Sequence, residues 1–332
     1  MAKVERNSSH ELLRIFAMFM IVWYHLVSYL MYEIPNTIHM EGWETFLPIM
    51  HIGVVLFMLI SGYYGIKPSV NGFLRIFLLT MIYYLPVEIV RCVHHNGDLV
   101  DTLMFITNIP YWFIRTYLFF YVLSPIVNKF ISTSSEKELN YMLLTLGVIA
   151  CYFGLTGGDA SLEHGKNVVN FTFIYLVGNA IRRYEPKWKD INGWLLFGAL
   201  LAINVVIVAL LWYYPRTTQL GYQVWQLSFP YCSPLLIINA SLVFMLFTKM
   251  HFSSSCINTI ASSVFAVYLI HSHPAFRKYI MSPICNYVSE QYDHQEPLML
   301  LIFAAIAIVI MVGSIGIDKC LSPIWRVIRL IK

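Results

Sequence analysis

The sequence predicts an all-α, polytopic membrane bundle of about ten transmembrane helices, with both termini on the cytoplasmic side. Three observations carry this prediction. The 332-residue chain is 58% hydrophobic and only 12% charged, about half the charged share of a soluble domain. Its apolar residues gather into ten runs, most of them about 17–25 residues long, the length that crosses a hydrocarbon core. Its 22 Lys and Arg sort by side: with the N-terminus inside, fifteen fall in inner segments, five in outer segments, and Arg14 and Arg115 within spans. That asymmetry is the mark of cytoplasmic loops, and it requires an even number of spans. A single membrane domain, 1–332, is expected.

The first span, Leu12–Tyr32, holds Arg14 and His25 inside an otherwise apolar run, ELLRIFAMFMIVWYHL. Each such residue costs a few kcal/mol on insertion scales, so it needs a partner or a polar interior. Eleven positions turn a helix through about 1100°, which sets Arg14 and His25 on one face about 16 Å apart. Glu11 and Ser28 fall near the same stripe. The segment is long for a signal peptide and lacks a small-residue cleavage site, so it is expected to remain as a span.

The second span, Phe46–Ile66, lies between the turn signals Ile34-Pro35-Asn36 and Lys67-Pro68-Ser69. Phe73–Val93 follows, with Arg75 at its start and Glu88 well inside. After Asn96-Gly97-Asp98 comes Tyr111–Ile131, where Tyr111-Trp112 marks an interface and Arg115 sits one turn in. Ser132–Glu138 reads as a loop and an N-terminal cap for Leu139–Leu155. The sixth span, Val168–Ile181, is short, carries Asn170 and Asn179, and is bounded by Gly157-Gly158-Asp159 and Glu185-Pro186. Gly193–Tyr214 ends at Tyr214-Pro215. Leu227–Phe247, a short Ile257–His273 with Tyr268 and His271, and Pro297–Ile317 complete the ten. No internal repeat is visible.

This orientation puts Glu11, Arg14, Ser61 and Arg75 near cytoplasmic ends, and His25, Arg115 and His271 toward the other side. Arginine forks match phosphate oxygens, which suits a phosphate-rich cytoplasmic ligand such as coenzyme A. An imidazole suits proton transfer. The pattern hints at acyl transfer from an inside donor to an outside hydroxyl. Blander readings stay open: Arg14 and Arg75 as interfacial anchors, His25 as a packing histidine, Arg115 and His271 as belt residues. A proton-coupled exporter or flippase of polysaccharide or glycolipid is the alternative function.

Other classes are disfavoured. The net charge of +4 is dispersed over segment ends, so no nucleic-acid surface is expected. The six cysteines are scattered without CxxC spacing, so no disulfide or metal role is expected. His94-His95 with Asp98 and Asp101 reads as a solvated loop.

From Leu12 to His273 the chain resembles the acyltransferase family 3 membrane proteins, which O-acylate glycans and other cell-envelope acceptors. The matching elements run in order. They are Arg14 and His25 with ten residues between; GVVLFMLISGYY ending in Ser61-Gly62; FLRIFLL with Arg75; Trp112, Tyr121, Ser124 and Pro125 of YWFIRTYLFFYVLSPI; and Tyr268 and His271 of IASSVFAVYLIHSHP. The flavour is that of short members without a fused soluble domain, the enterobacterial common antigen O-acetyltransferase and polysaccharide O-succinyltransferase types.

The resemblance implies a location in the bacterial cytoplasmic membrane and acyl-CoA, acetyl-CoA by default, as co-substrate, without a metal. It implies a glycan or lipid-linked glycan acceptor and polysaccharide-synthesis partners. It casts His25 and Arg14 as catalytic and Arg14, Arg75 and Ser61 as donor-binding. Arg115, Tyr268, His271 and Glu11 are substrate or oxyanion candidates, and Glu11 is also placed to pair with Arg14 at i, i+3. The chain departs from the family pattern at three places. Glu11 stands where Asp is usual. Asn71-Gly72 occupies the region of the first of two span-three arginines, with Lys67 a candidate for its charge. Tyr117 and Leu118 stand where fused members carry acidic residues.

Overall fold

The computed structural model describes residues 7–33, 45–94, 97, 100, 102, 109–156, 163–292 and 295–321, and every regular element among them is helical. The turn signals Ile34-Pro35-Asn36 and Gly157-Gly158-Asp159, with Asn96 and Asp98, lie outside these residues.

Helix α1 (Ser8–Glu33) is the hub. It packs against α2 (Gly53–Tyr64), α9 (Pro234–Thr248), α10 (Ser255–Ala261), α11 (Val264–His271), α12 (Ser282–Gln291) and α13 (Glu296–Cys320). Leu13, Ala17, Val22, Leu26 and Val27 of α1 are buried among them. A helix surrounded in this way can hold polar side chains away from lipid, as the position of Arg14 and His25 demands.

Between α2 and α6 (Val168–Arg183) the backbones come unusually close. A Cβ at Gly62 would overlap the Tyr175 carbonyl, and one at Gly178 would overlap the Leu59 carbonyl. The crossing therefore depends on glycine from both sides, the small-residue packing of membrane helices. This assigns the glycine of Ser61-Gly62 a packing role and leaves the serine to the cavity described below.

Two helices, α3 (Val70–Val93) and α4 (Trp112–Thr133), frame the rest of the site, and α5 (Glu136–Val148) packs against α6 beyond it. The N-terminus of α3 is capped by Ser69, which accepts from Gly72 N at 3.0 Å. The start of α4 is pinned by the Tyr111 hydroxyl, which donates to Leu269 O at 2.9 Å. A capping box between Ser135 and Glu138 opens α5. By contrast α7 (Gly193–Tyr213) is peripheral: Trp194, Leu195, Leu201, Val205, Val206 and Trp212 are all exposed, as befits a lipid-facing helix.

Five described segments are long and apolar enough to cross a bilayer: Ser8–Leu30, Leu47–Tyr64, Val70–Val93, Gly193–Tyr213 and Pro297–Cys320. They correspond to the first, second, third, seventh and tenth expected spans. A sixth arises if Ser255–His271 and Pro274–Gln291, bent by 68° to one another, form one broken span. Of the remaining runs the fourth is a continuous 22-residue helix, α4, that is not among the five. The others are helical but interrupted or short, so length and composition alone count five or six among the described residues and do not confirm ten. The eighth run splits into α8 (Gln219–Ser228) and α9 around Pro230 and Pro234, since proline cannot continue the helical ladder. The ninth breaks at Ser262-Ser263 and bends before Pro274, because the residue preceding a proline avoids helical dihedrals. The fifth relaxes into a π-helical turn, Ile149–Phe153. The sixth is a 16-residue helix, Val168–Arg183.

Candidate active site

Two cavities lie along α1, and one stripe of that helix lines both. Arg14, Met18 and Ile21 face a cavity of about 710 Å³; His25 and Ser28 face one of about 340 Å³. The spacings of four, three, four and three residues keep these side chains on one face.

The larger cavity combines two guanidinium groups with apolar and aromatic walls. Arg14 is held by Glu11, with Nη1 3.2 Å and 3.3 Å from the two carboxylate oxygens. Glu11 itself is buried, so the pair fixes one end of the arginine and leaves the rest of the fork at the cavity. Arg75, on the first turns of α3, is exposed and shares the lining. Ser61 donates its hydroxyl to Phe57 O at 2.9 Å and also lines this space, with Phe113, Tyr117 and Tyr121 of α4 and Tyr268 of α11.

The smaller cavity is built around His25. Its Nδ1 lies 3.0 Å from Nε2 of His271, which is fully buried. The Nδ1 of His271 lies 2.6 Å from Val267 O. A carbonyl only accepts, so His271 carries its proton on Nδ1. With both rings neutral, His271 Nε2 is then an acceptor, His25 donates from Nδ1, and His25 Nε2 keeps a lone pair. The tautomers are thus assigned by the network. The Ser272 hydroxyl, 3.3 Å from the same His271 nitrogen, is a second neighbour to it.

A second stripe runs beside the first. Ala261, Val264 and Tyr268 line the arginine cavity, and His271 continues that row. The rings of Tyr268 and His271 meet edge to face, centroids 5.9 Å apart. Tyr268, His271 and His25 therefore connect the two cavities through side chains in contact. On the opposite wall the adjacent residues Phe113 and Trp112 line the larger and the smaller cavity respectively.

The comparison that decides the family covers nearly all of this. A family model described as an acyltransferase domain, that of acyltransferase family 3, matches residues 7–318. The chain belongs to acyltransferase family 3. No curated protein and no solved structure matches it. Its several long apolar helices make it a multi-pass membrane acyltransferase.

The acyltransferase brings together most of the residues singled out in its sequence. Arg14, Ser61, Arg75 and Tyr268 meet at one cavity, His25 lines the other, and Glu11 and His271 stand behind Arg14 and His25. Arg115 joins neither cavity. Phe113, Tyr117 and Tyr121 recur at four-residue intervals facing the cavity, and Arg115 falls two residues, about 200°, off that row. Glu88 is also elsewhere: it is buried, 2.7 Å from Arg91 and 3.6 Å from His273.

The departure at Asn71-Gly72 has a physical reason in this acyltransferase. A Cβ at Gly72 would overlap the Tyr121 hydroxyl, which accepts from Ser69 N at 3.0 Å. Tyr121 ties down the Lys67–Ser69 turn through the space that a side chain at 72 would fill.

Several residues of the smaller cavity were not evident in the sequence: His51, Lys166, Trp225, Tyr231 and Arg277. One signal did exist. Asn170 interrupts an apolar run, and its amide donates to Gly165 O at 3.0 Å and to Tyr231 O at 3.1 Å, locking two cavity segments together. Among the described residues no three His, Cys, Asp or Glu side chains gather as a metal site; His95, Asp98 and Asp101 lie outside those residues.

Proposed function

We propose that this acyltransferase moves an acyl group, acetyl by default, from acyl-CoA on the cytoplasmic side to a hydroxyl of a cell-envelope glycan on the other side, with His25 as general base. The observation that carries the reading is the shared stripe of α1: arginine at one cavity, imidazole at the next, about 16 Å apart along one helix.

What supports the donor side is charge and wall chemistry. Arg14 and Arg75 offer forks for phosphate oxygens, and the apolar lining suits a pantetheine arm reaching toward Tyr268. What supports the acceptor side is the assigned tautomer. His25 Nε2 takes the proton of an acceptor hydroxyl as its oxygen attacks the thioester carbonyl. The C–S bond breaks, and the imidazolium returns the proton to the departing thiolate. His271 accepts from His25 Nδ1–H throughout, so the ring stays oriented while it carries charge. Tyr268 stands at the junction as hydrogen-bond donor for the developing oxyanion. The bacterial cytoplasmic membrane, the short common-antigen or succinyltransferase type, and a polysaccharide-synthesis setting belong to this same reading.

The test uses purified protein in neutral detergent with acetyl-CoA or succinyl-CoA and an envelope glycan extract, read by mass spectrometry of the glycan. Positioned base catalysis is worth about 10²–10⁴ in rate, so His25→Gln should lower transfer by that factor at normal folding. Undiminished transfer would remove His25 from the role. No acylated product with either donor, from folded wild-type protein, would count against the function itself.

A further inference from the structure

The acceptor cavity carries more charge than hydroxyl activation needs. Its walls are largely aromatic, Trp112, Trp225 and Tyr231 among them, yet Lys166 and Arg277 share the lining. Both cations are exposed, and no Asp or Glu lines the space. Among the described residues neither has a carboxylate within ion-pair distance. Lys166 Nζ instead lies 5.6 Å from the centre of the Trp112 ring.

The fold holds Lys166 there by an unusual route. Glu163 (φ 45°), His164 (φ 52°) and Gly165 (φ 87°) are three consecutive left-handed residues, a conformation unfavourable for the first two. Such strain persists where the surroundings over-determine it. Here Asn170 grips Gly165 O, His164 O accepts from Tyr231 N at 3.1 Å, and Thr116 Oγ1 donates to Lys166 O at 3.4 Å. A Cβ at Gly165 would press on Cys232 N. The turn is fastened on three sides, and its product is a cation beside a tryptophan at the mouth of the His25 cavity.

Aromatic faces accept the C–H side of a pyranose ring, because their negative π-faces meet weakly positive hydrogens. Cations without a carboxylate partner attract an anion, where charge-assisted hydrogen bonds form. A volume of about 340 Å³ lies at the small end of ligand pockets, about 300–1,000 Å³, and so takes a terminal sugar rather than a long segment. Resting on the acceptor role proposed for this cavity, we infer that the acceptor is an acidic glycan. Its sugar sits among the rings beside His25, with a carboxylate or phosphate group directed to Lys166 and Arg277.

The test is calorimetric binding to wild-type protein in neutral detergent, without donor. Three oligosaccharides of equal length serve as probes, ending in glucuronic acid, glucose 6-phosphate or glucose. At least one acidic end should bind about tenfold tighter than the neutral one, as two exposed charge pairs supply, and the order of the two acids identifies the anion. In the double variant K166Q/R277Q the acidic-to-neutral ratio should fall within twofold of one. Three indistinguishable affinities, including no binding by any probe, would overturn the inference even if the double variant failed to fold. So would a preference that survives in a folded double variant, or one abolished by phosphatidylglycerol, which would assign the cations to a lipid headgroup. Binding needs no turnover, so the two readings fail separately. Charge-selective binding without acyl transfer would keep the acidic-glycan site and end the transfer reading, and transfer to a glycan bound without charge preference would do the reverse.

Discussion

Replacing His271 by Phe should lower kcat about 10–100-fold while leaving the KM for acyl-CoA within about twofold. The factor follows from the relay. His271 Nε2 lies 3.0 Å from His25 Nδ1 and makes the bond that specifies which His25 nitrogen keeps its lone pair. Phenylalanine fills similar space and accepts no proton. A donor left without its partner in a closed site costs about 1–3 kcal/mol, or about 5–150-fold in the population of the oriented base, since about 1.4 kcal/mol is tenfold. The cavity proposed for the donor is lined by Arg14, Arg75 and Ser61 but not by His271, so donor affinity should change little.

His271→Gln separates positioning from packing. The Gln carbonyl can accept from His25, and its amide can donate to Val267 O, reproducing both bonds without an imidazole. Gln should therefore retain most of the activity that Phe loses. The assay is release of free CoA thiol by purified variants at saturating acceptor, with thermal unfolding in the same detergent as a folding control. A folded Phe variant within twofold of wild-type kcat would refute the relay. Equal losses for Phe and Gln would show that the histidine itself, rather than its orientation of His25, is required.

Gly62→Val should destabilise the protein by about 1–3 kcal/mol or prevent its folding, because overpacking forces the α2–α6 crossing apart; size exclusion and thermal melting report it, and unchanged melting would contradict the close approach. Asn170→Ala removes the donor shared by Gly165 O and Tyr231 O and should cost about 1–3 kcal/mol, with faster proteolysis near residue 165; a melting curve superimposable on wild type would deny the lock. Arg14→Gln should raise the acyl-CoA KM about 10-fold, the scale of one charge-assisted phosphate contact. Saturation curves with acyl-CoA test this, and an unchanged KM would return Arg14 to the role of an interfacial anchor.

Much of the central axis was legible in the sequence because helical geometry is periodic. The stripe through Arg14, His25 and Ser28 needs only the 100° step and the cost of a charge in an apolar run, and α1 occupies Ser8–Glu33 with that stripe facing the cavities. Azimuth failed where only depth was considered: Arg115 sits at a plausible depth on α4 but turns away from its cavity-facing row. The span count stands unconfirmed for another reason. Hydropathy continues across Phe229–Ser233, Ser262-Ser263 and Ile149–Phe153, so a window sees one run where backbone chemistry makes a break. The cations of the smaller cavity were hidden because residues 166 and 277 come to one cavity only in the fold, one through a left-handed turn and the other beyond the Pro274 bend.

The placement of carboxylates bears on the choice between enzyme and exporter. A proton-coupled exporter needs an acid or base that exchanges protons with each side in turn along the substrate route. Glu88, the carboxylate deepest in an expected span, is instead engaged by Arg91 and His273 on a face of α3 that lines neither cavity. Glu11 is committed to Arg14. Neither cavity is lined by Asp or Glu, so the titratable side chains along the shared stripes are imidazole and phenol, flanked by cations. On the proposed reading that arrangement would attract anionic substrates to both ends and offer one oriented base between them. It suits a route along which a bound donor and a bound acceptor meet and react better than one along which a single solute is released, because cations at both ends would hold an anionic solute in place. The His25–His271 contact also joins α1 to α11 at the junction of the cavities, so opening a continuous passage there would break the bond that orients the base.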